Sequence, residues 1–250
     1  MFDAFTIFAI TITFLLAGTV KGVIGLGLPT VSLALLTATL GLPQAMALLL
    51  VPSFVTNVWQ AVNGGNAKII LQRLWPFLFM ATITVWLGAI ALTRINLSLL
   101  SALLGALLVV YAIMSLAGFK LTIPTRHEVW AGPLVGTTNG ILTGMTGSFV
   151  VPGVLFLQAI GLPRDMLIQA MGMLFTVSTF SLAIALQKNG LLTNELGLLS
   201  FAALLPAIIG MAFGQKIRQK LSETLFRRVF FTALLILGTY IIANAFYGFQ

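Results

Sequence analysis

The apolar N-terminal run of this sequence is interrupted at Gly18-Thr-Val-Lys-Gly22-Val-Ile-Gly25-Leu-Gly27-Leu-Pro29. Four glycines, a lysine and a proline stand here inside residues 4–40, which are otherwise apolar or weakly polar. A lysine at the centre of a bilayer costs about 2.5–3.5 kcal/mol on insertion scales. Glycine and proline break a helix and expose backbone groups that lipid cannot satisfy. A membrane protein therefore keeps such a stretch where it is buried in protein or lines a wet cavity, and we interpret it as half of a binding site.

The composition indicates an integral membrane protein. Hydrophobic residues make up 59% of the 250 residues and charged residues only 7%, whereas a soluble domain has about 25% charged residues. The apolar runs are long and do not alternate, so they predict helices and not a barrel. The chain has no cysteine, which excludes disulfides, thiolate metal sites and cysteine catalysis. Residues 1–5 carry no positive charge, and we predict that the first apolar run is not a cleaved signal peptide.

We predict an all-α fold of about ten hydrophobic segments, several of them shorter than the roughly 20 residues that a span needs. The segments are 4–20, 28–40, 44–62, 70–92, 97–118, 129–142, 148–160, 165–187, 195–214 and 224–247. The first two, and likewise the sixth and seventh, read as paired short or re-entrant helices that meet inside the membrane.

The distribution of positive charge predicts the orientation. Sorting the thirteen lysines and arginines by alternate sides gives eleven on one side, with only Arg94 and Lys188 on the other. The rich side contains Lys21, Lys68, Arg73, Lys120, Arg126, Arg164, Lys216, Arg218, Lys220, Arg227 and Arg228. By the positive-inside rule that side is cytoplasmic, which leaves both termini on the other side of a cell (inner) membrane. The net charge of +8 is thereby explained without a nucleic-acid partner.

The two halves of the chain read as repeats. Gly18-Thr-Val-Lys-Gly22-Val-Ile-Gly25 aligns with Gly136-Thr-Thr-Asn-Gly140-Ile-Leu-Thr-Gly144, Gly41-Leu-Pro43 with Gly161-Leu-Pro163, and Leu74-Trp-Pro76 loosely with Leu204-Leu-Pro206. We divide the chain into a first repeat (1–118), a cytoplasmic linker (119–128) and a second repeat (129–250). Because each repeat has an odd number of segments, the second is expected to be inverted, and broken helices in matching positions of inverted repeats point to a transporter's binding site.

These paired glycine-rich motifs, each followed by an apolar run and a Gly-Leu-Pro, resemble the sulfite exporter TauE/SafE family. The resemblance covers nearly the whole chain. It implies a multi-pass inner-membrane carrier of small sulfur-containing anions, such as sulfite, sulfonates or sulfoacetate.

The motifs themselves supply groups that suit a small oxyanion. Lys21 offers a charge and the helix break frees backbone amides, while Pro29 fits the first turn of a helix whose N-terminus attracts anions. Asn139 replaces the lysine in the second copy, and hydroxyl groups flank Gly144 and Gly147 there. The predicted substrate-binding residues are Lys21, Gly22, Gly25, Gly27, Pro29, Asn139, Gly140, Thr143, Gly144, Thr146, Gly147 and Ser148. No metal ligands and no cofactor are predicted.

Each of these residues also has an ordinary structural interpretation. Glycines four residues apart let membrane helices pack closely, and Lys21 can extend toward the cytoplasmic headgroups. Asn57, Gln60 and Gln169 are candidates for the transport pathway, although buried amides often bond to neighbouring helices. The single His127 reads as a solvated linker residue.

The acidic residues favour export. Asp3, Glu128, Asp165, Glu195 and Glu223 all lie in loops or at the ends of predicted segments, whereas proton-coupled carriers commonly have an intramembrane carboxylate. Ion-coupled uptake of an organic anion and a non-catalytic membrane subunit are the alternatives. We do not predict an enzyme, because only Ser148 with Lys21 offers a nucleophile and a base. Lipid and a small anion are the expected partners, and homo-oligomerisation is left open.

Overall fold

The computed structural model describes residues 3–119, 121–218, 220 and 222–247. Lys120, which entered the charge distribution above, lies outside the described residues. Within them the chain forms thirteen helices and no strand. The helices are α1 (Ala4–Ile24), α2 (Leu28–Leu40), α3 (Leu42–Leu48), α4 (Leu50–Val62), α5 (Ala67–Ile83), α6 (Val85–Arg94), α7 (Leu97–Leu116), α8 (Thr125–Thr146), α9 (Gly153–Ala159), α10 (Arg164–Lys188), α11 (Asn194–Ala202), α12 (Leu204–Arg218) and α13 (Glu223–Tyr247).

Six stretches of helix are long and apolar enough to cross a membrane, among the residues that the structure describes. They are α1, α5 with α6, α7, α10, α11 with α12, and α13, and α3 with α4 makes a seventh if that bent pair is one span. The shorter α2 is apolar as well. The predicted all-helical membrane fold is confirmed, and every predicted segment overlaps a helix. The number of ten segments and the inverted repeat stay predictions.

Two of the predicted segments end too early. Helix α1 continues past residue 20 to Ile24, and α8 runs from Thr125 to Thr146 in place of 129–142. The glycines inside both helices are accommodated because neighbouring helices pack against them, as described below. Conversely, α9 is shorter than the predicted 148–160 and begins only at Gly153. The predicted linker 119–128 also loses its last four residues to the first turn of α8.

The helices cluster into two compact units, and unit 1 comprises Met1–Pro52, Asn96–Gly118 and Leu191–Gln250. In this unit α1 packs along α12, and α7 packs along α13. Helix α2 contacts both α1 and α13. Ser200 of α11 ties this helix to α3, since its Oγ donates to the Leu48 carbonyl at 2.8 Å and accepts from the Val51 N–H at 3.0 Å.

Unit 2 comprises Ser53–Ile95 and Phe119–Gly190. Here α8 packs along α5 and α6, while α10 contacts α5, α6, α8 and α9. The Ser181 hydroxyl of α10 donates to the Thr82 carbonyl at 2.7 Å, near the junction of α5 and α6. Each unit therefore contains helices from both predicted repeats, because helices of one half of the chain pack against helices of the other half. The division into residues 1–118, 119–128 and 129–250 describes sequence similarity and stays a prediction.

Candidate functional site

The first motif ends α1 and begins α2, both in unit 1. Gly25 adopts a left-handed conformation with φ of 78°, and its N–H donates to the Lys21 carbonyl at 2.8 Å. Gly27 follows with φ of 109°, so both positions need the freedom of glycine. Pro29 lies in the first turn of α2, where its missing N–H costs no hydrogen bond. The chain thus breaks at residues 25–27, and α1 ends one turn beyond residue 20, where the first predicted segment ended.

Lys21 lies in the last turn of α1 and is only 5% exposed. A side chain buried to this degree is enclosed by protein, and its depth relative to the headgroups stays a prediction. Ionisable residues within membrane spans generally face the protein interior and mark functional sites. Direct contact between Lys21 and a substrate stays a prediction.

Gly22, which we predicted to bind substrate, takes part in helix packing. A methyl group built on Gly22 would collide with the Met211 carbonyl of α12, and one on Gly18 would collide with the Ala207 carbonyl. Helix α12 has its own pair, Gly210 and Gly214, against the backbone of α1. Small residues four apart on two membrane helices let the backbones approach closely. This contact accounts for the glycine without a ligand.

The second motif lies in unit 2 and is built around Asn139. This side chain is fully buried, and its Oδ1 accepts a hydrogen bond of 2.8 Å from the Gly153 N–H at the start of α9. Its Nδ2 has no hydrogen-bond partner among the described residues. In the described part of the chain, two other buried polar atoms share that condition, Thr37 Oγ1 and Ser178 Oγ, but neither belongs to a motif. A buried donor without a partner requires an explanation, such as a water or a ligand.

Thr143 and Thr146, in contrast, use their hydroxyl groups on the backbone. Thr143 Oγ1 donates to the Ser148 carbonyl at 2.9 Å, and Thr146 Oγ1 donates to the Leu142 carbonyl at 2.7 Å. The Ser148 N–H donates to Thr146 Oγ1 at 3.2 Å. These bonds hold the turn after Gly147, whose left-handed backbone (φ 73°) ends α8. The predicted cluster of hydroxyl donors is therefore largely a scaffold that holds this turn.

Gly140 and Gly144 pack α8 against α5 and α6. A methyl group on Gly140 would collide with the Thr84 hydroxyl, and one on Gly144 would collide with the Val85 carbonyl. The packing follows the sequence alignment position by position in each unit. Aligned glycines face aligned partners, in the pairs Gly18–Ala207 and Gly22–Met211 of unit 1 and Gly136–Phe77 and Gly140–Ala81 of unit 2. The two motifs belong to different units, so their predicted union into one site stays a prediction.

The predicted pathway residues form hydrogen bonds that join α4 to α10. Gln60 Nε2 donates to the Ile168 carbonyl at 2.7 Å, and Gln169 Nε2 donates to the Ala61 carbonyl at 2.7 Å. Gln169 Oε1 also accepts from the Asn66 N–H at 2.9 Å. Asn57 Nδ2 donates to the Ser53 hydroxyl at 3.0 Å. These bonds match the structural interpretation of the amides, and a role in the pathway stays a prediction.

Replacing Gln169 with leucine is expected to destabilise the protein by about 1 kcal/mol, because two buried bonds are lost at about 0.6 kcal/mol each in a membrane bundle. Denaturant unfolding in detergent measures this loss. Gln187→Leu, at an exposed position of the same helix, is the matched control and should change little. A Gln169→Leu protein with normal stability and impaired transport would instead favour the pathway.

The sequence interpretation missed an ion pair, between the half-buried Arg73 and the buried Glu128. Arg73 Nε donates to Glu128 Oε2 at 2.8 Å, and its Nη2 donates to Oε1 at 2.6 Å. Glu128 is 8% exposed, although we had assigned it and His127 to a solvated linker. His127 lies beside it in α8, with its ring 5.8 Å from that of Trp130. The available signal was Arg73 itself, since an arginine inside an apolar segment needs a buried partner. Among the described residues no cluster suits a metal ion.

Comparison with known proteins agrees with this architecture. The family model described as "Sulfite exporter TauE/SafE" matches residues 10–241. No curated protein and no solved structure gave a significant match. Because the match covers nearly all of the chain, in both motifs and in every span, the protein belongs to the sulfite exporter TauE/SafE family.

Proposed function

We propose that the protein exports small sulfur-containing anions of the sulfite, sulfonate or sulfoacetate class by alternating access around its two broken-helix motifs. It acts as a multi-pass protein of the cell inner membrane, with both termini on the non-cytoplasmic side. Membership of a family of sulfite-exporter type supports this class of substrate. No enzymatic step and no cofactor is part of the proposal.

One observation carries the proposal, the buried carboxamide of Asn139. Its Oδ1 is committed to the Gly153 N–H while its Nδ2 donor has no partner among the described residues. An acceptor that enters from outside the protein satisfies such a donor, and an oxyanion is an acceptor on every side. A neutral donor also suits a carrier, because hydrogen bonds to charged groups are worth about 1.5–3 kcal/mol. A bond of that strength is enough to bind the anion and weak enough to release it.

The matched packing of the two motifs supports a shared role. In each unit the glycine face of one helix lies on the backbone of a partner, at positions that the repeat alignment makes equivalent. In each, the helix then ends at a left-handed glycine, Gly25 or Gly147. Broken helices at equivalent positions of two repeats are a hallmark of transporter sites.

The membrane potential provides the direction of transport. Each charge that crosses 100 mV gains about 2.3 kcal/mol. At about 150 mV, negative inside, a departing monoanion gains roughly 3.5 kcal/mol, which sustains a gradient of about 300-fold. Because the membrane potential supplies this energy, export needs no coupling ion.

Efflux from proteoliposomes tests the function. Vesicles loaded with radiolabelled sulfite and purified protein receive a potential from potassium and valinomycin. We expect the initial efflux rate to rise with an inside-negative potential and to fall when its sign is reversed. Flux that follows a sodium or proton gradient at zero potential would establish coupled uptake instead. Flux that appears only with an added protein would establish the subunit alternative.

Lys21→Met is expected to weaken sulfite binding at least tenfold, because it replaces a buried charge with an uncharged side chain of similar length. A charge-assisted hydrogen bond is worth about 1.5–3 kcal/mol, which covers that loss. Calorimetric titration of the purified protein measures the affinity. Lys68→Met removes the same charge at an exposed position and serves as the control. Equal affinities of the Lys21 variant and the wild type would remove Lys21 from the site.

A further inference from the structure

The short helix α9 is held at both of its ends by side chains from other helices of unit 2. At its start, the Gly153 N–H donates to Asn139 of α8 at 2.8 Å. At its end, Arg73 Nη2 of α5 donates to the Ile160 carbonyl at 3.1 Å. The Ile123 N–H also donates to the Ala159 carbonyl at 2.9 Å. A helix of seven residues has little stability of its own, so these ties determine where it lies.

Arg73 is the residue that joins these elements. Its guanidinium bonds to both carboxylate oxygens of Glu128 and, through the same Nη2, to the Ile160 carbonyl. The planar guanidinium donates in fixed directions, so a two-pronged bond to a carboxylate also fixes its orientation. One turn further along α5, the Phe77 ring packs on the Phe156 ring of α9 with centroids 4.9 Å apart. Arg73 and Phe77, one turn apart on the same face of α5, therefore both hold α9 in place.

Glu128 keeps Arg73 in this orientation. The Glu128 side chain is 7% exposed, whereas that of Arg73 is 33% exposed. A carboxylate buried to this degree needs a paired cation, since removing one partner leaves an uncompensated charge. The Arg73–Glu128 pair lies beside the second motif and has no counterpart beside the first. At the aligned positions of the first motif, in the repeat alignment given above, stand Ala203 and Ile10.

We propose that Arg73 and Glu128 are positioning residues of the transport site. They hold the end of α9, and α9 in turn presents the Gly153 N–H that orients the Asn139 carboxamide. With Oδ1 fixed on Gly153, the Nδ2 donor points in one direction and is free for the anion. This inference rests on the proposed function, because Asn139 is taken as the group that contacts the substrate.

The double variant Arg73→Met with Glu128→Met distinguishes a role of the pair in positioning α9 from a role in stabilising the fold. Replacing a buried ion pair with apolar residues of similar size is often neutral for stability, whereas removing one partner is costly. We therefore expect Arg73→Met to lower the unfolding temperature, because it leaves the buried Glu128 carboxylate without its cation, and the double variant to regain most of it. The double variant still lacks the donor to Ile160, so its KM for sulfite should remain raised at least fivefold. Arg126→Gln, an exposed charge two residues from Glu128, is the control with unchanged stability and KM.

Hydrogen exchange tests the tie to α9 without any transport measurement. In the double variant the amides of residues 153–159 should exchange at least fivefold faster than in the wild type, while those of α10 stay unchanged. Unchanged exchange in α9 would overturn the tie. Faster exchange with a KM like that of the wild type would show that the pair stabilises the fold only, which overturns the positioning role. A wild-type protein that moves no sulfite would overturn the proposed function, and the exchange measurement still decides the tie.

Discussion

Asn139→Asp is expected to reduce sulfite efflux at least 100-fold, compared at equal amounts of folded protein. In the wild type the Gly153 N–H donates to Asn139 Oδ1 at 2.8 Å. Aspartate keeps an oxygen acceptor for this N–H. The Nδ2 donor, however, becomes a carboxylate oxygen in a fully buried position. A like charge beside the anion disfavours binding, and a 100-fold loss corresponds to about 2.7 kcal/mol. Initial efflux rates from proteoliposomes measure the change.

Two further variants complete this test. Asn63→Asp introduces the same chemical change at an exposed position of unit 2 and should leave efflux unchanged. Asn139→Ala removes the acceptor together with the donor, so it should impair both efflux and thermal stability. Normal efflux by the Asn139→Asp protein, with wild-type affinity for sulfite, would refute the assignment of Asn139 to the site.

Gly22→Ala is expected to destabilise the protein by about 1–3 kcal/mol or more, the usual cost of an overpacked contact. The added methyl group meets the Met211 carbonyl of α12, and the Gln215 N and the Gly214 Cα both lie 2.9 Å from it. Backbone atoms cannot move aside as a flexible side chain does, so α1 and α12 must separate. Unfolding in detergent, followed by circular dichroism, measures the loss.

Gly197→Ala is the matched control, because it makes the same substitution within α11 of the same unit. A methyl group there has no heavy atom within 4 Å, and helix propensity favours alanine by about 0.5–1 kcal/mol. Equal stability of the two variants would contradict the packing role of Gly22. Lost affinity for sulfite in a stable Gly22→Ala protein would return this glycine to the binding site.

Much of the helical structure follows from local pattern. Long apolar runs predicted helices that the structure contains. The two glycine-rich motifs correspond to real helix breaks, at residues 25–27 and 147–152. The ends of the helices before these breaks were predicted too early, at residues 20 and 142, because glycine spacing alone does not distinguish a helix that is packed from one that is broken. Both cases place small residues in an apolar run.

The partners of the candidate site residues were not predictable in the same way. The pattern marked Asn139 as polar and central, but its bond to Gly153 depends on how α9 returns to α8. Arg73 and Glu128 are 55 residues apart in the chain, and no local periodicity connects them. Thr143 and Thr146 read as ligand donors because they flank the glycines of the second motif. Their bonds to backbone carbonyls emerge only from the turn that follows α8.

Local sequence thus determined which stretches of this protein are apolar helices and where those helices are interrupted. Helix formation and burial in lipid depend on residues within a few turns of each other. Local sequence also determined that Gly18 and Gly22 share one face of α1, because residues four apart lie one above the other. Only the tertiary structure decided that this face meets α12, which begins at Leu204, and that the Asn139 Nδ2 donor finds no partner in the part of the chain that the structure describes. The choice of a buried partner depends on contacts between distant segments, and single positions in the chain do not encode it.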